Sequence, residues 1–196
     1  MQYPPVNYLS FQPHPIVGID EAGRGCLAGP VFAGAVILNF HQEFQDSKLL
    51  NPQQREDLTI QIKKKHKFAI GIADLEEIEK LNIHQASLLA MKRAVQELNI
   101  SKGHLLIDGA FLLRELSDFS QTALIKGDRR ASPISAAGIL AKTERDKLLK
   151  KLSDLYPEYG FDKHKGYATK KHKLAIKQYG PCPIHRKSFS GVKEYL

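Results

Sequence analysis

Five short apolar runs constrain this chain more than anything else in it: Ile16–Asp20, Pro30–Leu38, Lys67–Ala73, His104–Ile107 and Thr122–Ile125. Each is rich in β-branched or aliphatic residues and bounded by Gly, Pro or polar residues, the pattern of buried strands. Short links among the first three predict an antiparallel meander. A helical stripe then intervenes in LNIHQASLLAMKRAVQEL, where Leu88, Met91, Val95 and Leu98 recur on one face. Asn99 and Gly103 lie beyond its end and can close it. A second helix is predicted from about Pro133 to Leu152, with Pro near its first turn and Ala137, Ala141, Leu148 and Leu152 on one side. A weaker helical pattern, DLEEIEKLNI, precedes the first. Three strands, helix, strand, short helix, strand and long helix imply an α/β fold, a five-stranded mixed sheet with helices on both faces.

The chain has 196 residues, which suits a single domain. Residues 1–15 read as a loose lead-in. From about residue 156 to residue 196 the texture turns basic and Tyr-rich, and a C-terminal appendage is expected: a loop, a short helix over about Thr169–Gln178, then a tail. Twenty-nine Lys and Arg face 21 Asp and Glu, for a formal net charge of +8. Such a surface favours polyanions, nucleic acid among them. No segment has the apolar length of a bilayer span, and the N-terminus has neither a basic start nor an apolar core. A cytoplasmic chain without a membrane partner is expected. Cys26 and Cys182 are too few and too far apart for a disulfide framework. Cys182 and His185 have a C-x-x-H spacing, but no second pair completes a zinc site.

In a basic protein the informative acids are those that interrupt apolar elements. Asp20 ends the first run and Glu21 follows at once; Asp108 ends the fourth. Active sites of α/β sheets gather at such strand ends. Neighbours on a regular strand point to opposite faces, so Asp20 and Glu21 are expected to share a site only if the strand stops at Asp20, with Ala22-Gly23-Arg24-Gly25 as the stop. Asp146 sits on a flank of the long helix, and spacing alone favours an ion pair with Lys142 or Lys150. For Asp108 a self-capping turn, and for Asp20 and Glu21 a helix N-cap, are the plainer readings. Converging carboxylates repel, and divalent cations relieve the conflict. Mg²⁺ and Mn²⁺ suit oxygen ligands, and two such ions about 4 Å apart can activate water and stabilise a leaving oxygen.

GIDEAGRGCLAGPVFAGAVIL resembles the N-terminal signature of bacterial ribonuclease HII. DSKLLNPQQRE, NIHQASLLAMKRAVQEL, LLIDG, SAAGILAKTERDKLL, HKGYATKKH and GPCPIHRKSF resemble that family in its order, so the likeness spans Ile16 to Phe189. It implies a ribonuclease H-like fold, cleavage of RNA in RNA–DNA hybrids and incision at ribonucleotides embedded in duplex DNA, leaving 3′-hydroxyl and 5′-phosphate ends. It implies Mn²⁺ or Mg²⁺ held by Asp20, Glu21, Asp108 and Asp146, with Asp146 completing the second metal site. The Gly-Arg-Gly loop falls on Gly23, Arg24 and Gly25, whose amides can approach phosphate and a 2′-hydroxyl. Tyr167 matches a tyrosine that senses the ribo–deoxyribo junction, and Ser47 and Lys48 match a segment that touches the backbone near the cut. For the glycines a tight turn, for Tyr167 a half-buried loop ring, and for Ser47 and Lys48 a solvated loop remain open. Cys26 stands where the family usually has proline, and Gly138 where it has a small side chain. A monomer is expected. Another ribonuclease H-fold nuclease acting on DNA, or a binder that does not cut, are the alternatives.

Overall fold

In the computed structural model, which describes residues 3–196, five strands form one sheet in the order β3-β2-β1-β4-β5. They are β1 (Ile16–Ala22), β2 (Val31–Ile37), β3 (Lys67–Ala73), β4 (His104–Asp108) and β5 (Ser120–Leu124). The first three pair antiparallel, while β4 runs parallel to β1 and β5 parallel to β4. The mixed sheet is as expected, and β1 lies at its centre because both of its faces are apolar. Val17 and Ile19 pack with α3 (Ile83–Glu97), where Met91, Val95 and Leu98 of the predicted stripe are all buried. The opposite face takes α4 (Ser132–Leu155), whose Ala136, Ala137, Ile139 and Leu140 meet Val36. This contact is close enough to demand glycine: a Cβ on Gly34 would lie 2.4 Å from the Ala137 carbonyl oxygen, and one on Gly18 2.0 Å from the Pro133 backbone. Each fully buried Ile or Leu here contributes about 1.5–3 kcal/mol by leaving water.

The structure corrects three expectations. First, β2 and β3 are not joined by a short link. A helix, α1 (Pro52–Lys65), lies between them, started by an Asn51–Gln54 capping box with Pro52 in its first turn. Only Thr59 and Ile62 of α1 are fully buried, so it carries almost no apolar stripe. Second, β1 does not stop at Asp20; its pairing with β2 runs on to Ala22 opposite Phe32. Third, the lead-in is anchored at three apolar side chains, although most of residues 3–15 are exposed. Val6, Tyr8 and Phe11 pack on Ile16, Leu106 and Ile134, and the Val6 amide donates to the Arg130 carbonyl at 2.8 Å. Residues 1 and 2 of that expectation lie outside the described residues.

The weaker helical pattern becomes α2 (Leu75–Leu81), separated from α3 by Asn82 at φ 69°. The C-terminal segment holds α5 (Phe161–His164) and α6 (Lys170–Tyr179), the latter close to the helix expected over about Thr169–Gln178 and capped by the Thr169 side chain. It docks through Phe161, Ile176 and Val192 onto Leu27, Ala28 and Leu149. Among the described residues no helix is long and apolar enough to cross a membrane.

Candidate active site

At the carboxyl ends of β1 and β4 the sheet gathers acids. Asp20 shares a face of β1 with Gly18 and is buried against α4. The missing side chain of Gly138 makes room for it, since a Cβ there would fall 2.2 Å from an Asp20 carboxylate oxygen. The other oxygen, Oδ1, accepts the Glu21 amide at 2.7 Å. Although β1 runs on past it, Glu21 stays near the same acids, since its charge bears on Asp20 and that of Asp108 on it, and its carboxylate meets Arg24 Nη1 at 3.3 Å. Asp108 ends β4, where its Oδ1 accepts the Gly127 amide at 2.6 Å.

Sequence reading missed the next member. Asp128 is buried, one residue past Gly127, and its Oδ2 takes the Lys48 ammonium at 2.8 Å. Its charge bears on both Asp20 and Asp108. A signal was available, because Asp128 follows the fifth apolar run through a Gly turn as Asp108 precedes one.

Burial, then the charges of Glu21, Asp108 and Asp128, push the Asp20 carboxyl well above the ordinary range. Burial, then Asp128, raises Asp108 against the pull of the Gly127 and Asp128 amides. Burial also raises Glu21, with Arg24 opposing and Asp108 adding to the shift. Burial and mutual repulsion thus join these acids into one anionic cluster. Burial works to lower the Lys48 ammonium, yet the Asp128 hydrogen bond and the charges of Asp128, Asp46 and Asp20 raise it overall. Lys48 thus reaches into the cluster as a cation. Ser47 contributes through its backbone, its carbonyl taking Arg55 Nη1 at 3.1 Å. Among the described residues no three acids already close into a finished ion cage.

Asp146 is not part of this cluster. It lies eight residues beyond Gly138 on α4, about 12 Å along the helix axis. There it pairs with Lys142 at 2.6 Å and approaches Arg55 at 3.9 Å. It faces a groove of about 790 Å³ lined by Arg55, Lys142, Lys147, Lys150, Lys165 and Tyr167. Tyr167 is 42% exposed, and the Lys142 ammonium stands 5.3 Å from its ring centre.

The Gly-Arg-Gly loop joins the acids to the groove. Gly23, at φ 103°, begins the turn, while a Cβ on Gly25 would meet open space. Cys26 bridges to Tyr167 as a strand pair, and the Leu27 amide donates to Gly166 at 2.8 Å. The C-x-x-H pair serves this side too. The Cys182 amide meets His185 Nδ1 at 2.9 Å, His185 meets His172 at 3.0 Å, and His172 Nδ1 meets the Tyr167 carbonyl at 2.9 Å. Burial pushes both imidazoles down to about 4, so they stay neutral.

A model of the ribonuclease HII family matches residues 17–192. The chain belongs to the ribonuclease HII family. It is 48% identical to the ribonuclease HII of Bacillus licheniformis over 184 residues, covering 92% of this chain and 71% of that one. The solved ribonuclease H2 of Pyrococcus horikoshii superimposes with a TM-score of 0.77 at 26% identity, covering 92% of this chain and 96% of the other. A ribonuclease HIII, Bst-RNase HIII solved in complex with Mn²⁺, shares the fold at 16% identity and a TM-score of 0.64, covering 92% and 68%. The ribonuclease H-like fold is therefore as expected, and the protein is an endoribonuclease.

Proposed function

We propose that this ribonuclease HII cuts the RNA strand of RNA–DNA hybrids and incises on the 5′ side of ribonucleotides embedded in duplex DNA, leaving 3′-hydroxyl and 5′-phosphate ends. One observation carries the reading: a cluster of mutually repelling acids, with Asp20 and Asp128 buried, borders a glycine loop that leads directly to an exposed tyrosine in a basic groove. Lys and Arg of the groove hold the phosphates, and the acids work at the bond.

The donor set fits a hard divalent cation. It is all carboxylate oxygen, its members raise one another's proton affinity, and a lysine ammonium already leans into it. Asp20, Glu21 and Asp108 would hold Mn²⁺ or Mg²⁺, and we assign the fourth position to Asp128 in place of Asp146. Bound there, two such ions supply an activated water and charge stabilisation at the leaving oxygen. The protein's own groups do the rest. The Gly23, Arg24 and Gly25 loop lies against the ribose and its phosphate. Tyr167, whose hydroxyl burial keeps protonated, stacks on the adjoining sugar and donates to the 2′-hydroxyl. Lys48 neutralises the phosphate nearest Asp128, with Ser47 setting its loop. The enzyme acts as a cytoplasmic monomer.

The test is cleavage of three duplexes of one sequence: plain DNA, DNA with one ribonucleotide, and a full hybrid, each with Mg²⁺, Mn²⁺ or chelator. Only the two containing RNA are cut, and none with chelator. Cutting of plain DNA, or activity that survives chelation, contradicts the proposal.

A further inference from the structure

Two guanidinium groups are fully buried, those of Arg145 on α4 and Arg186 near the C-terminus. Among the described residues neither forms an ion pair with a carboxylate; both are spent on backbone carbonyls. Arg186 Nη2 donates to Gly23 O at 2.7 Å and to Gly29 O at 2.8 Å, Nη1 to Arg24 O at 2.9 Å, and Nε to Gly29 O at 3.0 Å. Arg145 donates to Ala28 O at 2.8 Å, Lys165 O at 2.9 Å and Pro30 O at 3.0 Å. Burying a charge without a counter-ion is costly, and stability alone gives little reason for it. What the arrangement does accomplish is orientation.

In a trans peptide the C=O and N–H point in opposite directions. Holding the Gly23 and Arg24 carbonyls inward on Arg186 therefore turns the Arg24 and Gly25 amides outward. Among the described residues neither amide meets a protein acceptor. The second guanidinium fills the floor of the loop: a Cβ on Gly23 would lie 2.2 Å from Arg145 Nε. Arg145 also grips the carbonyl of Lys165, two residues before Tyr167, and the Leu27–Gly166 bond closes the link.

We propose that Arg186, with Arg145, is a positioning residue for ribonucleotide recognition, a buried clamp that aims the two loop amides at the sugar and phosphate and fixes Tyr167 beside them. This rests on the reading that the Gly-Arg-Gly loop and Tyr167 contact the substrate. A lysine at position 186 keeps the charge but loses the planar fork that spans three carbonyls.

The experiment compares wild type, Arg186→Lys, Gly25→Ala and the double variant. It measures kcat/KM at 25 °C on DNA with one ribonucleotide, and the Kd for plain duplex of the same sequence. Val95→Ala, deep in the α3 core and far from the loop, controls for lost stability. Arg186→Lys is expected to lower kcat/KM at least tenfold with the plain-DNA Kd within twofold, while Val95→Ala lowers the melting temperature without that loss. Gly25→Ala, with open space for its methyl, keeps the wild-type melting temperature and also loses at least tenfold. The double variant falls little below the worse single variant, because both changes act through the same amides.

Losses that multiply in the double variant, or an Arg186→Lys enzyme within twofold of wild type, overturn the clamp. A Gly25→Ala enzyme of full activity instead overturns the substrate-contact reading beneath it. If Arg186→Lys does not fold, Arg145→Lys is judged by the same criteria.

Discussion

Asp128→Asn is expected to cut kcat by at least a hundredfold, whereas Asp146→Asn costs less than tenfold. Loss of one electrostatic contact to a developing charge costs on the order of 10²–10³ in rate. Asp128 is placed to make such a contact through a bound cation, because its charge bears on both Asp20 and Asp108. Its other partner, Lys48, has a side chain 71% exposed, so water can take over the ammonium when that pair is lost, and an unchanged melting temperature is expected to show that the fold survives. With the melting temperature unchanged, a large loss of rate is chemical. Asp146 sits among Lys142, Arg55 and the groove, and Asn there removes a helix pair of about 0.3–0.5 kcal/mol. Steady-state kinetics in Mg²⁺ and Mn²⁺ decide the matter. Equal losses for the two variants would return Asp146 to the metal site.

The second large effect has two opposite signs. Asp20→Asn abolishes cleavage and stabilises the metal-free protein. The Asp20 carboxyl is held above its ordinary value by burial and by three negative neighbours. A carboxyl whose folded value is raised favours the folded state as pH falls through the window between its unfolded and folded values. It costs stability once pH rises above both. At neutral pH the charge is therefore a burden that the uncharged isostere lacks. Asn also keeps the acceptor for the Glu21 amide. A gain on the order of 1 kcal/mol corresponds to roughly 2–4 °C in Tm for a chain of this size. Without metal, the gap between variant and wild type should narrow as pH falls from neutral toward the acid range. With Mg²⁺ wild type rises and the variant does not, since only the folded site binds the ion. Calorimetric scans with and without chelator read all of this. A variant less stable than wild type in chelator would mean that the charge is already compensated.

The sheet was legible because its strands are short apolar runs and the long helices carry stripes. Helix α1 was not, because it buries little beyond Thr59 and Ile62; its only clear signal is the Asn51-Pro52-Gln53-Gln54 cap. Three of the acids were legible as interruptions at strand ends. Asp128 was passed over because it sits in Lys126-Gly127-Asp128-Arg129-Arg130, where a lone acid among cations reads as solvated. Asp146 was drawn in by the family likeness; its spacing from Lys142 favoured the ion pair that the structure contains. Arg145 and Arg186 were invisible for a deeper reason. In a basic chain an arginine defaults to the surface, and only tertiary structure reveals a guanidinium enclosed by carbonyls.

The central claim is that the acids at the ends of β1 and β4 form a divalent-cation site completed by Asp128. Anomalous diffraction from crystals soaked in Mn²⁺ tests it most directly. The account predicts density bounded by Asp20, Glu21, Asp108 and Asp128, with the Lys48 ammonium displaced from Asp128. Density on Asp146 with none at Asp20, or no ordered Mn²⁺ at a saturating soak, would contradict it.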